Sequence, residues 1–267
     1  MKEKIEVIMS CLNLQDDSIF LDSNIQSNIL IINQCDSTSY KTFSFKDKNG
    51  HSHKARIFSI KQRGLSQSRN LAIDYAEGEI LLIADDDEEF INNYPEIVLN
   101  AYKSNPTADL ILFNIESNRP RHKPKLKQFE IGYIDAMRAC SQQITLKKSS
   151  IIKKKIRFDI TMGAGTGNGG GEENKFLFDC LHSKLNLIYR PELLAKVHHK
   201  DSTWFHGYKD DNFFINRGYS SKKLLGFFFG TLYIFEWSFA KYSLYRHEIS
   251  MFRAIYLQLK GLLTKSW

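Results

Sequence analysis

Five acidic residues directly after a buried strand are the feature that most constrains this chain. Residues 80–84 read Ile-Leu-Leu-Ile-Ala, a short apolar segment typical of a central strand, and residues 85–89 read Asp-Asp-Asp-Glu-Glu. Adjacent carboxylates repel one another, and they are costly to place at the mouth of a buried strand unless a cation neutralises them. The run therefore indicates either a cation site at the end of a sheet or an acidic surface loop.

The composition is that of an ordinary globular protein. The 267 residues are 42% hydrophobic and 25% charged, which fits one large domain or two small ones. Four cysteines lie far apart without a CxxC pair, which favours reduced thiols over a disulfide scaffold or a zinc finger. The N-terminus lacks a secretory signal, and the apolar segment 224–235 is shorter than the roughly 20 residues of a membrane span. We expect a cytoplasmic protein.

The formal net charge is +7, although the most concentrated acid lies in one short segment. Basic residues cluster at 119–127, 146–157 and 220–223. Such clusters suit nucleic acid, anionic lipid headgroups or phosphorylated substrates, but each can equally be a solvated face.

Short apolar runs alternate with helical patterns in the first half, which predicts βα units and a mixed, mainly parallel sheet flanked by helices. Strands are expected at 5–10, 28–33, 79–84, 108–115 and 185–191, with a hairpin around Asp-Lys-Asn-Gly at 47–50. Helices are expected at 66–76, opened by a serine cap, at 92–105 and from Glu172 onward. The segments 117–130 and 163–171 are predicted loops, and the chain is helical, aromatic and basic from about Lys209.

The position of the acid run, at the end of a predicted strand, indicates what it could bind. In an open α/β sheet, ligands bind beyond the carboxyl ends of the strands. A cluster of carboxylates there suits a hard divalent cation, which takes oxygen ligands and accompanies substrate phosphates. A D-x-D pattern alone is a weak signal, because acidic surface loops share it.

Two longer segments make the pattern more specific. Residues 63–90, "RGLSQSRNLAIDYAEGEILLIADDDEEF", resemble the Arg-Asn helix and D-x-D strand of the family 2 glycosyltransferases. Residues 156–181, "IRFDITMGAGTGNGGGEENKFLFDCL", are similar to that family's Phe-Asp segment and acidic helix start, and "VHHKDSTWF" follows at 197–205. The resemblance is collinear over about residues 5–205. It implies a GT-A-type, Rossmann-like fold with a C-terminal helical tail.

The resemblance also implies roles on the donor side. Asp87 would ligate Mn²⁺ or Mg²⁺ at the donor diphosphate, and Asp85 would reach the ribose or the metal through water. Asp86, between them, would belong with Asp85 to the residues that bind the nucleotide. Ser66 and Arg69 would help to hold the nucleotide. Asn33, Gln34 and Asp36 stand where the family has paired acids, and their amides can still pair with a uracil edge.

On the acceptor side, Glu172 and Glu173 occupy the place of the family's acidic pair. Adjacent helical residues point about 100° apart, so only one can face a given acceptor oxygen. By resemblance Glu173 is the general base and Glu172 orients the acceptor or supports the loop. Without the family context, both acids could simply favour a helix N-terminus. His198 or His199 could complete the metal shell, as in metal-dependent relatives, or could be a structural or surface histidine.

The resemblance predicts a GT-A catalytic domain at 1–208, divided into a nucleotide-sugar half (1–116) and an acceptor half (117–208), with a helical segment at 209–267. It predicts an inverting transferase that moves a sugar from a nucleotide diphosphate-sugar, with UDP favoured, to a glycan or lipid-linked acceptor in bacterial surface polysaccharide synthesis. The helical segment either covers the sheet or makes peripheral contact with an anionic membrane at the inner face of the cell membrane.

Two other functions stay open at this point. A basic, aromatic-rich chain could bind nucleic acid or another polyanion, but recognition motifs for nucleic acid are missing, so we expect no nucleic-acid partner. A sugar nucleotidyltransferase would need a Gly-rich, basic loop after the first strand, and "SCLNLQDD" does not supply one.

Overall fold

The computed structural model describes residues 4–14, 16–117, 124–198 and 207–263. The strands are β1 (Ile5–Leu12), β2 (Asn28–Gln34), β3 (Ser39–Lys46), β4 (Ser52–Ile60), β5 (Ile80–Asp85), β6 (Glu88–Phe90), β7 (Leu110–Ser117), β8 (Phe129–Glu130), β9 (Ile144–Lys147) and β10 (Leu187–Val197). The helices are α1 (Ile19–Asp22), α2 (Leu65–Tyr75), α3 (Tyr94–Ser104), α4 (Tyr133–Ala136), α5 (Lys148–Lys154), α6 (Glu172–His182), α7 (Asp211–Ala240), α8 (Tyr242–Tyr245) and α9 (Met251–Leu263).

The chain forms two compact units. The α/β unit consists of residues 1–63, 67–157 and 176–200 and contains all the strands described above. The helical unit consists of residues 64–66, 158–175 and 201–267. The predicted domain boundary at residue 208 and the division at residue 116 stay predictions.

One ten-stranded sheet has the order β3-β4-β2-β1-β5-β9-β7-β10-β6, with β8 paired to β10. Strands β4, β2, β1 and β5 are parallel neighbours, and antiparallel β9 separates β5 from β7, which is parallel to β10. Six of the strands therefore run in one direction, so the sheet is mixed but mainly parallel. Strand β1 is buried along all of its length except Leu12, which is typical of a central strand covered on both faces.

The predicted strands, the hairpin and α3 are confirmed to within a few residues. The loop predicted at 117–130 is wrong at its end, because Phe129 and Glu130 pair with β10. Strand β9 was not expected, since its four residues lie at the start of a basic run. The serine cap of α2 is also wrong. The helix begins at Leu65, and the Ser66 hydroxyl donates to the Met162 carbonyl oxygen at 2.7 Å instead of capping the helix.

A helical hairpin organises the helical unit. Gly226 has φ +73° and ψ −177°, which interrupts α7 between residues 211–225 and 227–240. Across the bend, the Arg217 guanidinium donates to the Tyr233 hydroxyl at 2.7 Å and lies 3.8 Å from the Trp237 ring centroid. On a straight helix Arg217 and Trp237 would be about 30 Å apart, so the two halves of α7 fold back on each other.

Helix α9 packs against this hairpin at very close range. A Cβ on Gly218 would lie 1.8 Å from the Gln258 carbonyl oxygen, and one on Gly261 would lie 1.9 Å from the Ile215 carbonyl oxygen. Only glycine allows the backbones to approach this closely. Over the described residues, no helix has the length and apolar character needed to cross a membrane.

Candidate active site

The carboxyl ends of three neighbouring strands bring the predicted donor-side residues to one edge of the sheet. Ser10 at the end of β1 lies opposite Asp85 of β5, and Cys11 lies opposite Asn33 of β2. Asp85 ends β5, so the acid run begins where the buried part of the strand stops. This edge is where open α/β sheets bind ligands.

Asp85 is fully engaged by hydrogen-bond donors. Its Oδ1 accepts from the Arg69 guanidinium at 3.0 Å, and its Oδ2 accepts from Ser141 Oγ at 3.1 Å and Gln142 Nε2 at 3.0 Å. Arg69 itself is almost completely buried. The Arg69 charge balances that of Asp85, whose side chain is only 23% exposed. Asp85 therefore anchors α2 and the short 3₁₀ turn at Ser141–Gln143 to the end of β5.

Ser141 and Gln142 were missed by sequence reasoning. They lie in "CSQQIT", where neither periodicity nor charge distinguishes them from other polar residues. Their contact with Asp85 depends on antiparallel β9, which was itself unpredicted.

The acid run turns back into the sheet instead of remaining a surface loop. Glu88–Phe90 form β6, in which Glu88 pairs with Val197 and Glu89 with Lys196 of β10. The next backbone bond runs from His198 N–H to the Asp87 carbonyl oxygen at 2.9 Å. His198 Nε2 lies 3.9 Å from Glu89 Oε2. The pairing thus brings His198 beside the acid run. His199 lies outside the described residues.

Glu88 is the buried member of the run. It is 3% exposed, and neither carboxyl oxygen has a well-formed hydrogen bond to the described residues. Burial, reinforced by the charges of Asp85 and Asp87, raises the pKa of Glu88 well above its usual range, and Arg69 offsets this only in part. A cation beside this carboxyl would offset the repulsion from Asp85 and Asp87.

A cavity of about 540 Å³ opens next to these acids, within the α/β unit. Its wall combines the acid run with residues that follow β1 and with His198. The lining residues are Leu12, Asn13, Leu14, Asp16, Ser18, Ile19, Asp22, Ser23, Asp86, Asp87, Glu88, Glu89 and His198. Of these described residues, none is Lys or Arg, so the cavity favours cationic or polyhydroxylated ligands over bare anions.

The side chains on the cavity wall fit a divalent cation whose remaining ligands are oxygens of the substrate. Within the part of the chain that the structure describes, no three His, Cys, Asp or Glu side chains form a metal cluster by themselves. Mg²⁺ and similar ions are commonly held by one or two carboxylates together with substrate phosphates and water. Asp87 and His198 on the cavity wall match such a partial set, and so does Glu88, whose carboxyl has no well-formed hydrogen bond to the described residues.

The other residues that are predicted to bind the nucleotide differ in their burial. Asn33 is buried at the end of β2, where its Oδ1 accepts from Leu14 N–H at 2.9 Å and its Nδ2 donates to Ser59 at 3.2 Å. Gln34 is buried beside it. Asp36 is exposed and paired with Arg63 at 2.7 Å. Asp86 is exposed, whereas Ser66 is buried in the helical unit.

Glu172 and Glu173 begin α6 and belong to the helical unit. Glu172 is buried under the glycine loop, where a Cβ on Gly163 would meet its carboxyl carbon at 3.2 Å. Glu173 is only half-buried. The two acids therefore have different surroundings, as expected for adjacent residues on a helix.

Comparison with known proteins identifies the family. Residues 11–169, well over half of the chain, match the model of glycosyl transferase family 2. The chain therefore belongs to glycosyl transferase family 2. Among curated proteins, none matches it.

Solved structures share the architecture. The crystal structure of S. aureus TarS 1–349 is similar with a TM-score of 0.65 and 11% identity, over 97% of this chain and 81% of that chain. TarS 1–349 in complex with UDP-GlcNAc gives 0.66 and 12%, over 97% and 79%. The crystal structure of S. aureus TarS gives 0.56 and 13%, and there the match spans 82% of this chain and 39% of that chain. At such identities the likeness shows the fold alone. It confirms the predicted GT-A-type fold with a C-terminal helical region.

Proposed function

We propose that the protein transfers a sugar, with inversion at the anomeric carbon, from a nucleotide diphosphate-sugar to a hydroxyl of a glycan or lipid-linked glycan. The observation that carries this proposal is the acid-lined cavity beside Asp87 at the carboxyl end of β5, in a chain of this family. The family membership favours neither polyanion binding nor nucleotidyl transfer.

A UDP-sugar is the proposed donor. TarS 1–349 has been crystallised with UDP-GlcNAc and with UDP, and those structures share this fold. Asn33 and Gln34 are the last residues of β2 and Asp36 follows them, at the same edge of the sheet as the ends of β1 and β5. In the proposal they lie towards the base, while Arg69 holds Asp85 in place behind the diphosphate.

Mn²⁺ or Mg²⁺ is the proposed cofactor, held by Asp87 with His198 or His199, and with Asp85 acting through water. Asp87 is the better direct ligand, because both oxygens of Asp85 already accept hydrogen bonds. A bound divalent cation would stabilise the negative charge that develops on the departing diphosphate.

Glu173 is the proposed general base. Its carboxylate removes the proton from the acceptor hydroxyl, whose oxygen attacks the anomeric carbon from the face opposite the diphosphate. The bond from that carbon to the diphosphate oxygen breaks, and no covalent enzyme intermediate forms. Glu172, packed at Gly163, supports the loop that precedes the helix. Its burial makes it the less suitable base.

The acceptor is proposed to be a saccharide of a bacterial surface polysaccharide. A lipid-linked acceptor would place the enzyme in the cytoplasm at the inner face of the cell membrane.

A calorimetric titration with UDP, GDP and dTDP, each with Mn²⁺ and then with EDTA, tests the donor and the cofactor. We expect UDP to bind with Mn²⁺, and this binding to be lost with EDTA or in Asp87→Ala. The matched control is Asp74→Ala, since Asp74 is an acid of the same unit that pairs with Arg157 at 2.5 Å. UDP binding that EDTA leaves unchanged would contradict the metal assignment. Failure of all three nucleotides to bind would contradict the transferase.

A further inference from the structure

The second half of α7, residues 227–240, is apolar on two opposite faces. One face is buried and includes Ile234 and Trp237. The other carries large apolar side chains at spacings of four, three and four residues, which places them on one side of the helix. These are Phe228, Leu232, Phe235 and Phe239, each between 40% and 67% exposed. A helix with a second apolar face, opposite the buried one, has apolar surface that its own unit does not cover.

Helix α9 repeats this arrangement. Ala254 and Leu257 are buried in the helical unit. Phe252, Tyr256 and Leu263 occupy the same side of the helix and are 66% to 85% exposed. Two helices of one unit therefore both leave an apolar stripe uncovered, which is more than the single scattered apolar residues of an ordinary surface.

The bend of the hairpin adds a third apolar feature. Gly226 is followed at once by Phe227, Phe228 and Phe229, all of them exposed. The rings of Phe228 and Phe229 contact each other edge to face, with centroids 5.4 Å apart. Three exposed phenylalanines thus lie at the bend of the helical hairpin.

The charge of the same segment indicates what it meets. Residues 211–263 contain seven Lys or Arg residues and only three Asp or Glu residues. Lys222 precedes the bend by four residues, Lys241 follows Phe239 by two, and Lys260 lies between Tyr256 and Leu263. Lys241 and Lys260 are exposed. Basic residues beside an exposed apolar stripe are the pattern of helices that bind anionic lipid surfaces.

We propose that the apolar face of α7 and α9 binds the surface of an anionic bilayer. Phe227, Phe228 and Phe229 at the bend enter the boundary between headgroups and acyl chains, and Lys241 and Lys260 contact lipid phosphates. Residues 227–240 extend about 21 Å, which is shorter than the roughly 30 Å hydrocarbon core, so the helix lies along the surface. This inference goes beyond glycosyl transfer, because it depends on the helical unit alone.

A second copy of the chain is a poorer occupant of the same face. It would bring one net basic face against another, and such like charges repel. An anionic bilayer offers both an apolar interior and the complementary charge.

Flotation of the full chain with vesicles tests the proposal. The vesicles contain phosphatidylcholine alone or phosphatidylcholine with phosphatidylglycerol. We expect binding to the anionic vesicles only, weakened by salt. The variant Phe228→Ser/Phe239→Ser should partition about tenfold more weakly or worse, and Lys241→Ser/Lys260→Ser should lose the preference for the anionic lipid.

The matched control is Leu126→Ser/Ile134→Ser, which changes two side chains of the α/β unit that are 85% and 68% exposed. This control should bind as the wild type does. Thermal unfolding and UDP titration of every variant separate loss of lipid binding from loss of folding or of the donor site. The proposal is overturned by equal binding to neutral and anionic vesicles, by no binding to either, or by a wild-type dimer in sedimentation velocity that Phe228→Ser/Phe239→Ser dissociates.

Discussion

The two acidic clusters of the molecule, one in each unit, share an arrangement. In the α/β unit, Glu88 is buried within the run while its neighbour Asp87 is half-buried. In the helical unit, Glu172 is buried under the glycine loop while its neighbour Glu173 is half-buried. In both places the backbone fixes one acid inside and leaves an adjacent acid more accessible. The proposed metal ligand Asp87 and the proposed base Glu173 are thus the more accessible members of these two pairs.

The interiors of the two units differ more than their acids do. The α/β unit contains buried charges with partners, such as Glu6 with Arg56 and Arg69 with Asp85. The helical unit relies instead on close backbone contact at Gly218 and Gly261. The α/β unit therefore has buried ion pairs at its core, whereas the close approach of α7 and α9 in the helical unit requires glycine. Single substitutions can break the contrast between the acids and the contrast between the two interiors.

Glu173→Gln should reduce transfer by about 10²- to 10⁴-fold, because the amide cannot accept the acceptor's proton. Binding of UDP should be unchanged. UDP release from UDP-GlcNAc and UDP-glucose, alongside calorimetry, measures the two effects separately. Glu172→Gln is the matched variant, and we expect it to affect stability more than transfer, because Glu172 is buried. Normal transfer by Glu173→Gln would remove the distinction between the two acids.

Glu6→Gln should lower the free energy of unfolding by about 3–5 kcal/mol, the usual cost of breaking a buried ion pair. Glu6 Oε1 accepts from Arg56 at 2.6 Å, and its Oε2 accepts from the backbone N–H groups of Glu77 and Gly78 at 2.5 and 2.8 Å. The NH₂ group of the glutamine would then face a hydrogen-bond donor where the wild type has an acceptor oxygen. Urea unfolding measures the change.

The control for this variant is Glu79→Gln, which removes an exposed ion pair with Lys4 at 3.2 Å. Exposed pairs contribute little, so we expect a change within about 0.5 kcal/mol. Equal losses in the two variants would mean that burial of the charge does not matter to the α/β unit.

Gly218→Ala should destabilise the helical unit by about 3 kcal/mol, because the new Cβ would overlap the Gln258 backbone and force the helices apart. Gly230→Ala provides the graded comparison, since its Cβ would lie 3.1 Å from the Ser221 carbonyl oxygen. We expect a smaller effect there, measured by thermal unfolding with circular dichroism. A Gly218→Ala variant as stable as the wild type would contradict the close packing of α7 and α9.

The sequence predicts the central strands of the sheet well, because a strand buried on both faces is a short run of apolar residues. Residues 80–84 are apolar at every position, so both the strand and the place where it ends are visible without the structure. The secondary structure of the acid run itself cannot be predicted from its residues. Nothing in "DDDEEF" distinguishes a loop from a strand that pairs with β10, because that pairing depends on residues more than 100 positions further along the chain.

Other features could not be predicted because they depend on partners distant in sequence. Ser66 looks like a helix cap, yet the Met162 carbonyl accepts its proton. Ser141 and Gln142 acquire a role only when β9 brings them to Asp85. The bend at Gly226 lies within an apolar helical pattern that a straight helix would satisfy equally well. Local patterns determine which segments are helices and strands, but tertiary contacts determine which polar groups meet.

The smallest effect is expected from Asp47, in the turn between β3 and β4. Burial alone would raise the pKa of Asp47, but hydrogen bonds from His53 and from the backbone N–H groups of His51 and Asn49 outweigh it and hold the pKa below its usual value. The carboxylate therefore stabilises the folded state above the unfolded pKa of about 3.9, and this stabilisation is lost as the pH falls through the lower folded value.

Asp47→Asn tests the direction of this pH dependence of stability. The variant should be less stable than the wild type by about 1 kcal/mol at neutral pH, since the amide keeps only part of the hydrogen bonding. The difference should shrink as the pH falls below about 4. Urea unfolding of both proteins over this pH range measures it. Because the group is a buried charge of the α/β unit, a difference independent of pH would mean that the shape of the turn, and not its charge, stabilises the hairpin. The contrast between the two units would then fail at this position.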